Sequence, residues 1–330
     1  MRERIGRSEM IEFSGTGRTW RHMILIAATI GIAVTLVTIS DAQTSDGAKK
    51  GKAEKSQQLA SGEDGNNDGL PPTNHETSNG RVGRGAIAPE VFKGIFGRDK
   101  RANEDRGMVQ TGLAAKFDER VYCRVTDDYW AQSYGTSLHG GIDIPVPFDT
   151  PFHAIAAGEL INKSPRTDAP DGIQIWLRHS PDDTSLPMWT FSQYTHLREL
   201  PDMPLGQRVR MGEVIGITSN SGASRGSKPG GGRRPALHLG VIYNESGKYL
   251  SNSEYVVPVD GWWMDPHAIY RKVGPYDSLA LKALPANEKA IPIPYMLPDG
   301  KTVPADTKLV WPYPCSTKPL STVRMNPANR

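Results

Sequence analysis

The chain has 330 residues, 37% of them hydrophobic, with 34 Gly and 26 Pro. That balance suits one globular domain with irregular flanks better than a chain folded throughout. A net charge of +3, spread along the sequence, gives no footprint for nucleic acid, and no phosphate-binding loop, zinc ribbon or internal repeat is present.

In chain order, the first feature is Met23 to Ile39, an uncharged apolar run that follows Arg18 and Arg21. Its length lies at the short limit of a membrane span and slightly beyond a usual signal-peptide core. Ser40-Asp41-Ala42 fits a small-x-small cleavage site, whereas Arg2, Arg4 and Arg7 suit an uncleaved anchor with its basic end inside. Residues 1–42 are read as a signal peptide or an N-terminal anchor in the cytoplasmic membrane. Either way the rest of the chain is expected in the periplasm or cell envelope. Residues 43–118 are polar and read as a largely disordered linker. Within it Ala86 to Phe96 is an apolar island, which either docks on a domain or partner or forms a transient turn.

Residues 119–272 carry the strand patterns. Phe152 to Ile161, Gly172 to His179, Trp189 to His196, Val214 to Thr218 and Ala236 to Tyr243 are short and rich in β-branched or aromatic residues, with Gly, Pro and Asp turns between them. The spacing predicts an all-β domain, an antiparallel sandwich or barrel, with a helical turn at Asp265 to Tyr270 started by Asp265 and Pro266. Ser180 to Met188 and Asn220 to Arg234 are expected as long loops. Residues 273–330 form a Pro-rich extension, expected to run extended, either free of the domain or wrapped on it. Cys123 and Cys315 are the two cysteines; in an oxidising compartment they either pair, closing a long loop, or remain free thiols.

Two stretches carry the chemistry: His139-Gly140-Gly141-Ile142-Asp143 and Ala236-Leu237-His238-Leu239-Gly240. In a strand, residues at i, i+2 and i+4 share a face, so His139 and Asp143 point the same way across Gly141. Two histidines and one carboxylate, His139, Asp143 and His238, make a set that suits Zn²⁺ and leaves a coordination position open.

The run from His139 to Glu159, followed in order by Ile173 to His179, Tyr194-Thr195-His196-Leu197, Gly206 to Gly216, Pro235 to Gly240 and Asp265 to Tyr270, resembles the lysostaphin-type (M23) zinc endopeptidases. The resemblance implies a compact antiparallel β fold, His139, Asp143 and His238 as zinc ligands, and hydrolysis of peptide cross-links in peptidoglycan. It also implies that His196 orients water or stabilises an oxyanion, and that the two long loops wall the substrate groove. Tyr194, two residues before His196 and so expected on its strand face, is read as a substrate-side group. The family motif is His-x-His, with the first histidine as general base; here that position is Ala236.

Three readings follow. In the first the chain is a peptidoglycan hydrolase with another group in place of the missing base. In the second it is a zinc-binding, weak or inactive domain that binds wall peptides or activates another envelope hydrolase. In the third it is a structural element of an envelope complex, with the linker and the Pro-rich tail as interaction segments.

Overall fold

The computed structural model describes residues 80–126, 130–222 and 234–320. The apolar segment Met23 to Ile39, the linker up to residue 79 and most of the 220–234 loop lie outside them. Among the described residues no helix is long and apolar enough to cross a membrane.

The domain is mostly strands, as the sequence patterns require. Two short helices come first, α1 (Pro89–Ile95) and α2 (Lys100–Glu104). The strands that position the site are β1 (Ile142–Pro145), β2 (Pro151–His153), β3 (Gly158–Ser164), β4 (Gln174–His179), β5 (Trp189–Thr195), β6 (Arg208–Val209), β7 (Val214–Ile217), β8 (Ala236–Asn244), β9 (Tyr249–Ser251), β10 (Val256–Pro258) and β11 (Trp262–Met264). A seven-stranded sheet runs β11-β8-β5-β4-β3-β6, and β1 pairs with the first half of β8 beside β11. All its pairings are antiparallel.

Register divides this sheet into two faces. His238 lies opposite both Asp143 and Thr195, and Gly240 lies opposite Gln193, which in turn faces Trp176. By strand alternation these residues share one face with Gln174. The other face carries Ile142, Ile144, Ile175, Leu177, Tyr194, Leu237 and Leu239, all fully buried. One face makes the core and the opposite one makes the site.

The linker expectation fails from residue 80 onward. Val91 and Ile95 of α1 are buried, and Asn103 of α2 donates from Nδ2 to the carbonyls of Gly94 (2.9 Å) and Gly97 (3.1 Å). Asn103 Oδ1 also accepts from the Leu138 amide (3.3 Å), and Trp263 Nε1 on β11 donates to Gly94 O (3.1 Å). Pro at the first turn of α1 and the Asp99 cap of α2 start these helices. The apolar island therefore docks. Its few apolar residues suffice because they add to an existing core rather than making one.

The C-terminal extension also packs. Trp311 is fully buried and donates from Nε1 to Arg124 O (2.7 Å), and the Val310 amide bonds Ile155 O (2.8 Å). Cys123 and Cys315 form a disulfide beside this strap. The expected turn at Asp265 is a short 3-10 helix, Ala268–Tyr270. Ser180 to Met188 is not an open loop: it holds helix α3 (Pro181–Thr184), closed by a reciprocal Ser180–Asp183 capping box.

Candidate metal centre and groove

Asp143 leaves β1 directly opposite His238 on β8. His139 precedes the strand, which begins at Ile142, yet its side chain arrives at the same point. His238 Nδ1 lies 3.0 Å from His139 Nε2 and 3.1 Å from Asp143 Oδ1, and His139 Nε2 lies 3.5 Å from Asp143 Oδ1. Among the described residues this trio is the one cluster of potential metal ligands.

The trio passes a geometric test for zinc. A tetrahedral ion with bonds of about 2.0–2.1 Å has its ligand atoms about 3.3–3.4 Å apart, and the three edges here bracket that value. The protonation states fit as well. Burial raises the Asp143 carboxyl, but the two imidazoles beside it outweigh burial and hold it well below the usual carboxylate range. Burial also pushes the His238 imidazole down, toward the neutral form that ligates. Gly141 is required sterically: a Cβ there would stand 2.5 Å from His238 Nε2 and 2.4 Å from Leu239 O.

Residues 137–250 match the model of peptidase family M23. The match bears out the resemblance read from the sequence and spans His139, Asp143, His238 and His196. Among solved structures, the chain is similar to the catalytic domain of the antimicrobial peptidase lysostaphin from Staphylococcus simulans, at 23% identity over 34% of this chain and 74% of that one, TM-score 0.28. It is also similar to a putative glycyl-glycine endopeptidase from Ruminococcus gnavus, at 22% identity over 37% of this chain and 43% of that one, TM-score 0.26. A zinc-containing peptidase from Vibrio cholerae gives 17% identity over 44% and 40%, TM-score 0.28.

Within the matched segment His196 stands next to the trio, its ring centroid 6.0 Å from that of His238. It follows the last residue of β5 and has a left-handed backbone, φ 65°. Its Nδ1 donates to Ser221 O (2.8 Å), which makes Nε2 the nitrogen that accepts a proton.

Tyr194 is a correction. Its side chain is fully buried on the core face, stacked on Phe152, and its hydroxyl accepts from the Ile155 amide (3.1 Å) and lies 3.1 Å from Ser192 Oγ. Burial pushes its phenol up to about 12. The inference from alternation failed because the left-handed residue at 196 ends the strand and turns the imidazole to the face opposite Tyr194.

Ala236 sits two residues before His238 on the same strand face and is buried. It lines a cavity of ≈ 380 Å³ with Tyr134, His139, Asp143 and Arg234. A methyl thus stands beside open space, two residues from His238 on the site face.

A larger cleft of ≈ 840 Å³ leads away from the trio. Its floor is the site face of the sheet, with Gln174, Trp176 and Gln193; Phe96 and Tyr255 stand on one wall, and Asp168 and Asp171 on another. Segment 180–188, expected as a groove wall, does not line it. Asp183 instead pairs with Arg208 on β6. Sequence reading missed the floor glutamines and the contribution of α1, because neither shows until register and docking are known.

Proposed function

We propose that the chain is a zinc metallopeptidase of the cell envelope that hydrolyses peptide bonds in peptidoglycan cross-links. The observation that carries this reading is the triangle of His139 Nε2, Asp143 Oδ1 and His238 Nδ1, whose edges suit a tetrahedral ion. Zinc held there supplies Lewis acidity, which polarises a scissile carbonyl and acidifies water. His139, Asp143 and His238 would hold the ion. His196, its Nδ1 proton fixed on Ser221 O, presents Nε2 to take a proton from the attacking water and return it to the leaving amine. The cleft floor and the α1 wall orient an extended peptide. An exported location is supported by the Cys123–Cys315 disulfide, which belongs to oxidising compartments, and by the apolar segment Met23 to Ile39 with its basic flank, proposed as signal or membrane anchor.

Ala236 supports a second reading. With one imidazole where the family motif supplies two, proton transfer loses a group typically worth about 10²–10⁴-fold. The chain would then bind wall peptides, or act on another envelope hydrolase, with little turnover of its own. The test is incubation of the zinc-loaded protein with purified peptidoglycan, the fragments being read by mass spectrometry. Chelator-sensitive release of peptide fragments supports the hydrolase; zinc-dependent binding to sacculi without release supports the binder. Neither release nor binding would refute both.

A further inference from the structure

Two glutamines on the cleft floor form a device that the zinc chemistry does not use. Gln193 on β5 and Gln174 on β4 are 7% and 4% exposed and line the cleft. Gln193 Nε2 donates to Gln174 Oε1 (2.7 Å), and Trp176 Nε1 donates to the same oxygen (3.1 Å). That oxygen has two lone pairs, and both are taken. What remains is the Gln174 amide N–H₂ and the Gln193 carbonyl, which bond no other side chain or backbone group among the described residues. Neither atom is fully sealed from the cleft. A nearly buried donor and a nearly buried acceptor, locked by their own partners, therefore look into the cleft.

Their position is set by the sheet. Gln193 lies opposite Gly240, two residues along β8 from His238, hence about 7 Å from the ligand strand position. Gly240 keeps that space: a Cβ there would meet Gly140 O at 2.9 Å and Gln193 Oε1 at 3.0 Å. An extended peptide advances about 3.3–3.6 Å per residue, so the pair meets a substrate about two residues from the bond placed at the trio.

We propose that Gln174 and Gln193 form a subsite for a secondary amide, the main-chain amide of the cross-link peptide about two residues from the cleaved bond. The Gln174 N–H₂ donates to the amide carbonyl and the Gln193 carbonyl accepts its N–H. The pre-organised pair loses little side-chain freedom on binding, and it rejects ligands without the amide because its own groups would be left unpaired. The subsite rests on the peptide-hydrolase reading for the identity of its ligand. An N-acetyl sugar carries the same secondary amide, and the two sources are separable by experiment.

The test uses the full zinc-loaded chain with two probes, glycan-free cross-linked peptide dimers and chitotetraose. Kd is measured by calorimetry, and kcat and KM by dimer cleavage. In Gln174→Glu an oxygen still accepts from Gln193 and Trp176, so the network stays while the cleft donor is lost; Gln193→Leu removes the acceptor. Each variant is expected to weaken dimer binding and raise KM about tenfold, with zinc content, Tm and kcat near wild type. Unchanged Kd and KM in both variants, in a protein that cleaves, would overturn the subsite and leave the hydrolase intact. Weakened binding in the variants, in a protein that binds dimers but never cleaves them, would support the subsite and remove the hydrolase. Chitotetraose binding that the variants abolish, with dimer binding untouched, would overturn the peptide assignment.

Discussion

Replacing Ala236 by histidine would supply the imidazole that the proposed reading expects at this position. Residue 236 shares the site face of β8 with His238 and pairs with Pro145, two residues along β1 from Asp143. Its methyl borders a cavity of ≈ 380 Å³ that His139 and Asp143 also line, so the new ring enters existing space rather than a packed core. General acid–base catalysis contributes about 10²–10⁴-fold. Because His196 already offers a proton-accepting Nε2, the gain in Ala236→His is expected at the low end, about 10²-fold in kcat. That corresponds to about 2.7 kcal/mol of barrier. KM should change little, since the ring acts in proton transfer and adds no contact to the cleft floor. The assay is steady-state cleavage of cross-linked peptide dimers, with zinc content and Tm measured on the same preparations. An unchanged kcat in a folded, zinc-loaded variant would refute the argument that the missing base limits turnover.

Other consequences are equally open to measurement. Ala substitution of His139, Asp143 or His238 should abolish stoichiometric zinc, read by elemental mass spectrometry, with the fold retained by circular dichroism. Gly141→Ala should weaken zinc by about tenfold or more, because its Cβ would stand 2.5 Å from His238 Nε2 and must push the ring aside; a competition titration with a zinc chromophore decides. Burial holds His179 down at about 4, bonded at 2.7 Å to both Ala157 O and Ser192 Oγ. Above about pH 6.5 neither state binds a proton there; below it the unfolded state protonates first, so stability falls as pH drops toward 4, by about 3 kcal/mol in all. Urea melts from pH 7 to 4 should show this slope, and His179→Gln should flatten it. Reduction of Cys123–Cys315, which closes a loop of 192 residues, should cost about 5 kcal/mol by the chain-entropy relation, seen as a lower urea midpoint.

The sequence revealed what local pattern controls and hid what assembly controls. Alternation and turn residues marked β3, β4, β5, β7 and β8, and the spacing of His139 and Asp143 pointed to the cluster that the fold assembles with His238. Tyr194 shows the limit. Strand alternation assigned it to the face of His196, but one left-handed residue at the strand end reversed the relation, and no periodicity signals that turn. Segment 80–118 reads as linker because it lacks a core of its own; its Val91 and Ile95 are buried only because they join the core of the domain. Gln174 and Gln193 are two unremarkable polar residues in separate strands. Only the register His238–Thr195, Gly240–Gln193 and Gln193–Trp176 shows that they share a floor with the ligands.

Hydrolysis in heavy-oxygen water tests the central claim most directly. Peptidoglycan dimers digested by the zinc-loaded wild-type chain should gain one heavy oxygen in the newly formed carboxylate of the released peptide. The label should vanish with chelator or in His139→Ala. Fragments that carry no label, or labelling that persists without the metal trio, would contradict zinc-assisted amide hydrolysis by this site.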